Sequence, residues 1–443
     1  MAAEADASTR TGPGLAKSGV WLLPWLRSHV LRRLSWGIGD QVVSSLTNFA
    51  VAIYVVHALG AVQFGAFSLA YVTYGFALNT SRGLSTDPLM VRFSGTDVLT
   101  WRHAARRCTG TAVMVGLVSG ACVLAVAPVL SGAARASFLA LGLTLPGLML
   151  QDSWRYSFFA LGRGGHAFLN DTIWAATLLP ALVLLRITGH ADVFWFTFAW
   201  GATGAVAAAV GPLQARLLPN LAGAWRWLSD HRDLGFRYML EGTSNNAVNQ
   251  VRGYGVAAIL GLAAVGYVQA SVTLMGPMTI LFLGMGLVTI PEGARVLRRS
   301  PKHLPLFGWL VSGGLTAAAL AWGVVLLIAV PRGLGSGLLG PVWRHTYPLV
   351  VPQMLYVMGQ ASGGGAGVGL HALGAARRSL RVVLITSAIS SVFTLIGALA
   401  AGVTGAVVGM AIGAWVSSLL FWWQFRVAFR EYNAAAAAEW LQP

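Results

Sequence analysis

The chain has 443 residues, of which 56% are hydrophobic and only 10% are Asp, Glu, Lys or Arg. Soluble proteins carry about 25% charged residues, so this composition excludes a soluble globular chain and predicts a multi-pass membrane protein. In a soluble chain the net charge of +16 would suggest nucleic-acid binding. The positions of the basic residues indicate another use, and we expect no nucleic-acid partner.

Apolar stretches of about 20 residues predict twelve transmembrane helices. They cover residues 36–57, 64–84, 108–130, 137–160, 167–188, 192–214, 236–260, 264–289, 304–329, 346–370, 380–401 and 404–427. Both cysteines, Cys108 and Cys122, fall in the third stretch, and no metal-ligand spacing is visible. We therefore expect neither a metal nor a cofactor.

Basic residues are concentrated in the connections on one side of these spans. One side carries the Lys and Arg of the N-terminal segment, of the linker and of most large clusters: Arg92, Arg102, Arg106, Arg107, Arg216, Arg226, Arg232, Arg237, Arg295, Arg298, Arg299 and Lys302. The other side carries Arg135, Arg186, Arg332 and Arg344. The positive-inside rule then predicts a cytoplasmic (inner) cell membrane location with both termini cytoplasmic, where basic residues meet anionic lipids.

One pattern occurs twice at a constant spacing of 201 positions. Asp40, Asn48, Leu59-Gly60 and Gly65 are matched by Glu241, Asn249, Leu260-Gly261 and Gly266. A weaker echo pairs Ala160-Leu161-Gly162 with Ala372-Leu373-Gly374. Such repeats are typical of transporter folds.

With six spans in each copy, both halves enter the membrane from the same side, so the repeat is parallel. The fold class expected is an all-α integral membrane protein with about 12 transmembrane helices in two six-helix bundles. The expected organisation is an N-terminal cytoplasmic or interfacial segment (1–34), an N-terminal lobe (35–215), a cytoplasmic linker (216–235), a C-terminal lobe (236–430) and a cytoplasmic tail (431–443).

A polar stripe follows one face of the seventh span. Glu241, Asn245, Asn249 and Arg252 are spaced four, four and three apart, which places them on one helical face. Asp40 and Asn48 begin a matching stripe on the first span. Two related helices with polar faces are expected to form walls of a cavity between the lobes.

The roles of these groups divide into substrate binding, ion coupling and helix packing. Arg252 needs an anion or water within a membrane and is suited to gripping a phosphate. Asn48, Asn245 and Asn249 bind substrate or join helices by hydrogen bonds. Asp40 and Glu241 are candidates for a gate or an H+ or Na+ coupling site, or else they pair with arginines at the cytoplasmic end.

Two further arginines are candidate substrate contacts with a structural alternative. Arg155 is an entry-side phosphate contact, or it is neutralised by Asp152 three residues earlier. Arg82 binds substrate, or it reaches the headgroups and pairs with Asp87.

Three other features allow a local interpretation. Asp171 would cap a helix N-terminus. His57 would face water at an outer end. Gly363-Gly364-Gly365 would give a bendable helix or close helix packing.

No enzymatic pattern is present. The sequence lacks a phosphate-binding loop, a zinc-peptidase motif and a glycosyltransferase acidic motif in a soluble loop. We therefore expect a protein that is not an enzyme.

The stretch from Gly39-Asp40-Gln41 through Ser44-Ser45-Leu46-Thr47-Asn48 to His57-Ala58-Leu59-Gly60-Ala61-Val62-Gln63-Phe64-Gly65 resembles the opening of polysaccharide flippases. Thr86-Asp87-Pro88-Leu89 resembles the exit of their second span. These flippases belong to the multidrug/oligosaccharidyl-lipid/polysaccharide (MOP) exporter superfamily, and the resemblance covers most of residues 35–430. The Gly-rich tenth span departs from it. The chain also lacks the two extra C-terminal helices and the basic cluster of the lipid II flippase branch, which argues against a peptidoglycan precursor.

The resemblance implies alternating access and flipping of a polyprenyl-(pyro)phosphate-linked oligosaccharide for cell-surface polysaccharide biosynthesis. It also implies that a cavity arginine binds the lipid pyrophosphate, and Arg252 is the position that fits. Glycan polymerases or glycosyltransferases are then candidate partners. The alternatives are a cation-coupled multidrug antiporter of the same superfamily and a non-transporting membrane subunit of a glycan assembly complex.

Overall fold

A computed structural model describes residues 22–329 and 334–440. Within these ranges the side chains of residues 22–44, and of scattered positions that include Glu241, Asn245 and Asn249, lie outside the description. The predicted roles of Asp40, Glu241, Asn245 and Asn249 therefore stay predictions.

The described ranges are helical, with short connections and no strand. In chain order the helices are α1 (Leu22–Ser81), α2 (Asp87–Phe93), α3 (Val98–Val126), α4 (Gly132–Ala160), α5 (Gly164–Ile187), α6 (Val193–Ala215), α7 (Ala224–Asp230), α8 (Arg232–Leu260), α9 (Leu262–Leu274), α10 (Gly276–Arg299), α11 (Leu304–Ala329), α12 (Leu334–Leu339), α13 (Trp343–Thr346), α14 (Val350–Ala372) and α15 (Ala376–Trp440). A π-helical turn, Arg82–Thr86, joins α1 to α2.

These helices account for the twelve expected spans. Of the described helices, seven are long and apolar enough to cross a membrane, and the pair α9–α10, bent by 53°, makes an eighth. Two of the seven, Ser45–Phe93 and Arg377–Ala435, each contain two expected spans. The remaining spans, α8 and α14, are less apolar because α8 carries the polar stripe and α14 is rich in Gly and Gln.

Breaks between spans fall at glycines that belong to the repeat. Gly60 interrupts α1 with φ 74° and ψ 179°, and Gly261 separates α8 from α9 with φ 82° and ψ 174°. A residue with a Cβ atom rarely adopts this conformation. The Leu-Gly pair predicted to close each copy is therefore the point where the chain turns from one span into the next.

The two halves meet through a reciprocal contact. A Cβ atom on Gly65 would lie 1.9 Å from the carbonyl oxygen of Leu262, and one on Gly266 would lie 2.1 Å from that of Ala61. Ala61 and Leu262 are themselves 201 positions apart. In each half the equivalent glycine thus packs against the equivalent backbone position of the other half, as a pseudo-twofold axis requires.

The weaker sequence echo also has a structural counterpart. Gly162 and Gly374 both have positive φ, 76° and 70°. The amide of Gly162 donates to the carbonyl of Phe159, and that of Gly374 donates to the carbonyl of His371. Both helices, α4 and α14, therefore end in the same way, at positions 212 apart.

The glycine run of α14 serves packing rather than bending. The helix is continuous from Val350 to Ala372. A Cβ atom on Gly365 would lie 1.8 Å from the carbonyl oxygen of Gly308 on α11, and one on Gly363 would lie 3.3 Å from Cα of Ser418 on α15. The run lets three helices approach closely, which is the second of the two alternatives that the sequence offered.

The connection that contains α12 and α13 covers the break at Gly60 inside α1. We call this side of the two lobes the Gly60 end. Leu339 is fully buried there, and Val342 is 2% exposed. Nδ1 of His57 is buried without a hydrogen-bond partner, and a Cβ atom on Gly340 would lie 3.3 Å from it. His57 is half-buried, so it faces water only in part, because this connection covers its Nδ1.

The segment between the lobes is attached to the N-terminal lobe. The amide of Asn220 donates to the carbonyl of Arg106 at 2.7 Å, and the indole of Trp227 donates to the carbonyl of Leu84 at 3.3 Å. Arg92 pairs with Asp233 at 2.7 Å, at the start of α8. Part of the basic cluster thus fixes the linker on the N-terminal lobe.

Candidate functional site

Three adjoining cavities lie in and between the lobes. We call them the N-lobe cavity (about 290 Å³, between α1, α6, α9 and α10), the C-lobe cavity (about 540 Å³, between α8, α9, α10, α14 and α15) and the connecting cavity (about 340 Å³). Val272 lines all three, and Tyr71 and Gln269 line both the N-lobe and the connecting cavity. The three cavities adjoin one another at the junction of the two halves, and we refer to them together as the central cavity.

Arg252 lies where the C-lobe and connecting cavities meet. It lines both, and its guanidinium donates to Oγ of Ser390 on α15 at 3.5 Å. Among the described residues that line the three cavities, it is the one that carries a charge. Arg252 therefore lines two of the three cavities, and its role in substrate binding stays a prediction.

Asn48 lies on the other side of the central cavity. Its side chain is exposed and lines the N-lobe cavity. It also borders a small cavity of about 20 Å³ that it shares with Asp171 and Trp174. Arg252 and Asn48 thus line different, adjoining parts of the central cavity.

Arg82 has a carboxylate partner inside the N-terminal lobe. Its Nε and Nη2 donate to both oxygens of Asp152, at 2.9 and 2.6 Å, and its guanidinium lies 4.9 Å from the ring centre of Tyr156. The sequence analysis offered Asp87 as a partner of Arg82 and Asp152 as a partner of Arg155. In the structure Asp152 instead forms this two-pronged pair with Arg82, which we call the fork. The contact uses both carboxylate oxygens, the geometry of a bidentate Arg–carboxylate pair.

Arg155 has its own partner, Asp171, at 3.2 Å. The amide of Gln151 donates to Asp171 at 2.8 Å and to Asn170 at 3.2 Å. Asp171 lies seven residues beyond the start of α5, so the expected helix cap was wrong. The carboxylate instead joins α5 to α4 within a buried network.

The network balances charge within the lobe. It contains two arginines and two aspartates, and both carboxylates are at most 7% exposed. Buried carboxylates of this kind are stable when they are paired and hydrogen-bonded. In this structure Arg82 and Arg155 act as partners of Asp152 and Asp171 rather than as free anion sites.

The polar wall of the C-lobe cavity was missed by sequence reasoning. Gln353, Tyr356 and Gln360 line it from α14, and Thr386, Ser387 and Ser390 line it from α15. The spacing of the α14 set, three and then four residues, places the three side chains on one helical face. That spacing was the available signal, although the same pattern also occurs where helices join by polar contacts.

Comparisons with known proteins give matches among solved structures. No protein-family model and no curated protein sequence matches the chain. An inward-facing multidrug-resistance MATE family transporter of the MOP superfamily is 14% identical with a TM-score of 0.71, covering 88% of this chain and 96% of that one. An outward-facing multidrug-resistance MATE transporter of the superfamily gives a TM-score of 0.58 at 14% identity, covering 92% and 96%.

A third similar structure is a MOP superfamily transporter from Pyrococcus furiosus, for which a reverse polarity of the binding pocket is described as suggesting a different function. Its TM-score is 0.56 at 14% identity, with 91% of this chain and 95% of that one covered. At such identity a likeness establishes architecture. With its twelve spans and its pseudo-twofold contact, this chain therefore has the two-bundle fold of the MATE transporters of the MOP superfamily.

Proposed function

We propose that this protein flips a polyprenyl-(pyro)phosphate-linked oligosaccharide across the cytoplasmic membrane by alternating access, for cell-surface polysaccharide biosynthesis. The observation that carries the proposal is the position of Arg252 in the central cavity. Ionisable residues inside membrane proteins commonly mark substrate pathways, and Arg252 places a guanidinium on the wall of this cavity. Its planar fork matches phosphate oxygens, so a lipid phosphate is the cargo group suited to this site.

Alternating access is supported by the way in which the lobes meet. The reciprocal Gly65 and Gly266 contacts lie next to the breaks at Gly60 and Gly261 and hold the halves together at that end. The TM-score is higher for the inward-facing neighbour, 0.71, than for the outward-facing one, 0.58. We infer an inward-open state, with the Gly60 end on the outer side as the charge distribution predicts.

The multidrug antiporter is the second candidate, because multidrug-resistance transporters are among the structural neighbours. It would use Asp40 or Glu241 to couple H+ or Na+ and would not need Arg252. Cationic drugs are expected to bind beside carboxylates, whereas the charge found among the described lining residues is positive. The change of function suggested for the pocket of reverse polarity is consistent with pocket polarity selecting the cargo class.

The test compares two arginines in spans. Arg252→Ala should abolish surface glycan in a strain that lacks the chromosomal gene, while membrane insertion stays normal. Arg186→Ala is the control, because Arg186 is exposed on α5 and lies 5.9 Å from the ring of Tyr54, away from the central cavity. Normal glycan export by Arg252→Ala, or a deletion strain with drug sensitivity and intact glycan, would contradict the proposal.

Reconstitution addresses the third possibility, a non-transporting subunit. The purified protein in liposomes should move a fluorescent polyprenyl-pyrophosphate oligosaccharide between leaflets without a polymerase or glycosyltransferase partner. Movement in the presence and absence of an H+ or Na+ gradient would identify the coupling ion. If no movement occurs until a partner is added, the subunit role is correct.

A further inference from the structure

The C-lobe cavity offers many hydrogen-bonding groups and little charge. Arg252 lies at its edge, and amide and hydroxyl side chains line it from α14 and α15: Gln353, Tyr356, Gln360, Thr386, Ser387 and Ser390. No carboxylate occurs among its described lining residues. Its volume of about 540 Å³ falls within the roughly 300–1,000 Å³ of small-molecule sites. A neutral ligand with many hydroxyl groups fits this lining better than a charged one.

Some of these groups already form hydrogen bonds within the protein. The hydroxyl of Thr386 donates to the carbonyl of Val382 at 2.8 Å, and the amide of Gln360 donates to the phenolic oxygen of Tyr356. The hydroxyl oxygen of Ser390 accepts from Arg252. Tyr356 and Ser390 accept in these bonds and keep their own hydroxyl hydrogens, so the wall offers donors as well as acceptors. Sugar hydroxyls, which both donate and accept, match such a wall.

Gln353 gives the second, independent indication. The residue is 1% exposed and lines the C-lobe cavity, yet its Oε1 has no hydrogen-bond partner. An unsatisfied buried amide oxygen costs stability, and such groups persist in native proteins chiefly where function needs them. Because Gln353 lines the cavity, a ligand hydroxyl that donates to Oε1 would satisfy this acceptor.

We infer that the C-lobe cavity is the subsite for the uncharged sugar next to the phosphate, with Gln353 as the residue that determines preference for a sugar-bearing lipid. The inference rests on the proposed function, since it takes the phosphate to lie at Arg252. The two groups line one cavity, so a phosphate at Arg252 places the attached sugar against α14 and α15.

The experiment uses matched probes and matched variants in detergent. The probes are farnesyl diphosphate and farnesyl diphosphates that carry glucose, galactose or N-acetylglucosamine. The test variant is Gln353→Leu. The control is Thr316→Val on α11, because Oγ1 of Thr316 is also buried without a partner but lines none of the three cavities. Both variants remove an unsatisfied polar group, so both should leave the unliganded protein at least as thermally stable.

The expected result is a change in preference. The wild type should bind at least one sugar-bearing probe more tightly than farnesyl diphosphate. Gln353→Leu should weaken that probe about tenfold, as expected for one hydrogen bond to a buried partner, and leave farnesyl diphosphate unchanged. Thr316→Val should change neither affinity.

The inference is overturned if the wild type shows no preference for any sugar-bearing probe, or if Gln353→Leu weakens all probes equally. The proposed function is judged separately with Arg252→Ala, which should weaken farnesyl diphosphate itself. Suppose that Arg252→Ala leaves the affinity for farnesyl diphosphate unchanged while Gln353→Leu loses the sugar preference. The anion site at Arg252 would then be ruled out, and the sugar subsite would stand.

Discussion

Gly65 and Gly266 occupy equivalent positions in the two halves, and each faces a backbone carbonyl of the other half that leaves no room for a side chain. The oxygen of Leu262 would lie 1.9 Å from a Cβ atom on Gly65, and that of Ala61 would lie 2.1 Å from one on Gly266. Because both obstacles are backbone atoms, a rotamer change does not relieve them. The contact therefore acts as a closure between the lobes at the Gly60 end.

Gly65→Ala should weaken this closure. Overpacking of this kind costs about 1–3 kcal/mol, and separation of the lobes at the Gly60 end relieves it. The variant should therefore shift the population toward the state that is open at that end. The measurement is labelling of an Asn48→Cys reporter, in a background without Cys108 and Cys122, by a membrane-impermeant thiol reagent from the Gly60 side.

Gly75→Ala is the control for this shift. Gly75 lies in the same helical segment, and a Cβ atom there meets nothing within 4 Å. Labelling should increase in Gly65→Ala and in Gly266→Ala and stay at the wild-type level in Gly75→Ala. Equal labelling in all three would mean that the glycine contact does not hold the lobes together.

The helical breaks could be predicted from sequence because their cause is local. A Leu-Gly pair at the end of an apolar stretch needs only the conformational freedom of glycine to turn the chain, and Gly60 and Gly261 do so with nearly the same φ and ψ. The repeat, with its spacing of 201 positions, then predicted two equivalent lobes. The same reasoning left two alternatives at Gly363-Gly364-Gly365, because a neighbouring helix decides whether glycine bends a helix or lets another approach.

The side-chain partners could not be predicted because they depend on helix rotation. Arg82 and Asp152 are 70 residues apart, and sequence proximity instead favoured Asp87 for Arg82 and Asp152 for Arg155. Successive residues of a helix point about 100° apart, so the rotation of α4 decides which of its side chains meets Arg82 on the neighbouring segment. The wall of the C-lobe cavity could not be predicted for the same reason, since Gln353 and Ser390 line one cavity only after α14 and α15 have packed together.

Removal of either member of the Arg82–Asp152 pair should be strongly destabilising. Loss of one partner leaves a buried charge uncompensated, which costs about 3–5 kcal/mol; Asp152 is 4% exposed. Arg82→Gln and Asp152→Asn should therefore each lower the thermal unfolding midpoint in detergent. The double variant should lose less than the sum of the two, because neither charge then remains alone.

The surface pair Arg295–Glu292 is the matched control for this ion pair. Its two side chains are 61% and 41% exposed, and exposed pairs contribute about 0–1 kcal/mol. Arg295→Gln should leave the midpoint nearly unchanged. A small effect of Arg82→Gln, similar to that of Arg295→Gln, would show that the fork is not a structural element and would restore Arg82 as a candidate substrate contact.

Arg252→Lys should separate charge from geometry in the central cavity. Lysine keeps the positive charge but lacks the planar fork that binds two phosphate oxygens at once. We expect flipping of a polyprenyl-pyrophosphate oligosaccharide in liposomes to fall about tenfold in Arg252→Lys and further in Arg252→Gln. Equal activity of Arg252→Gln and wild type would argue that the arginine binds no anion during transport.

Gly364 and Gly365 allow a direct test of packing against bending in α14. A Cβ atom on Gly365 would lie 1.8 Å from the carbonyl oxygen of Gly308, whereas one on Gly364 would lie 3.5 Å from a methyl group of Leu315. Alanine in a helix interior gains about 0.5–1 kcal/mol over glycine. Gly364→Ala should therefore raise the thermal midpoint slightly, and Gly365→Ala should lower it because overpacking outweighs that gain. If the run were a hinge, both substitutions would stiffen it and would reduce transport to a similar degree without a large change in either midpoint.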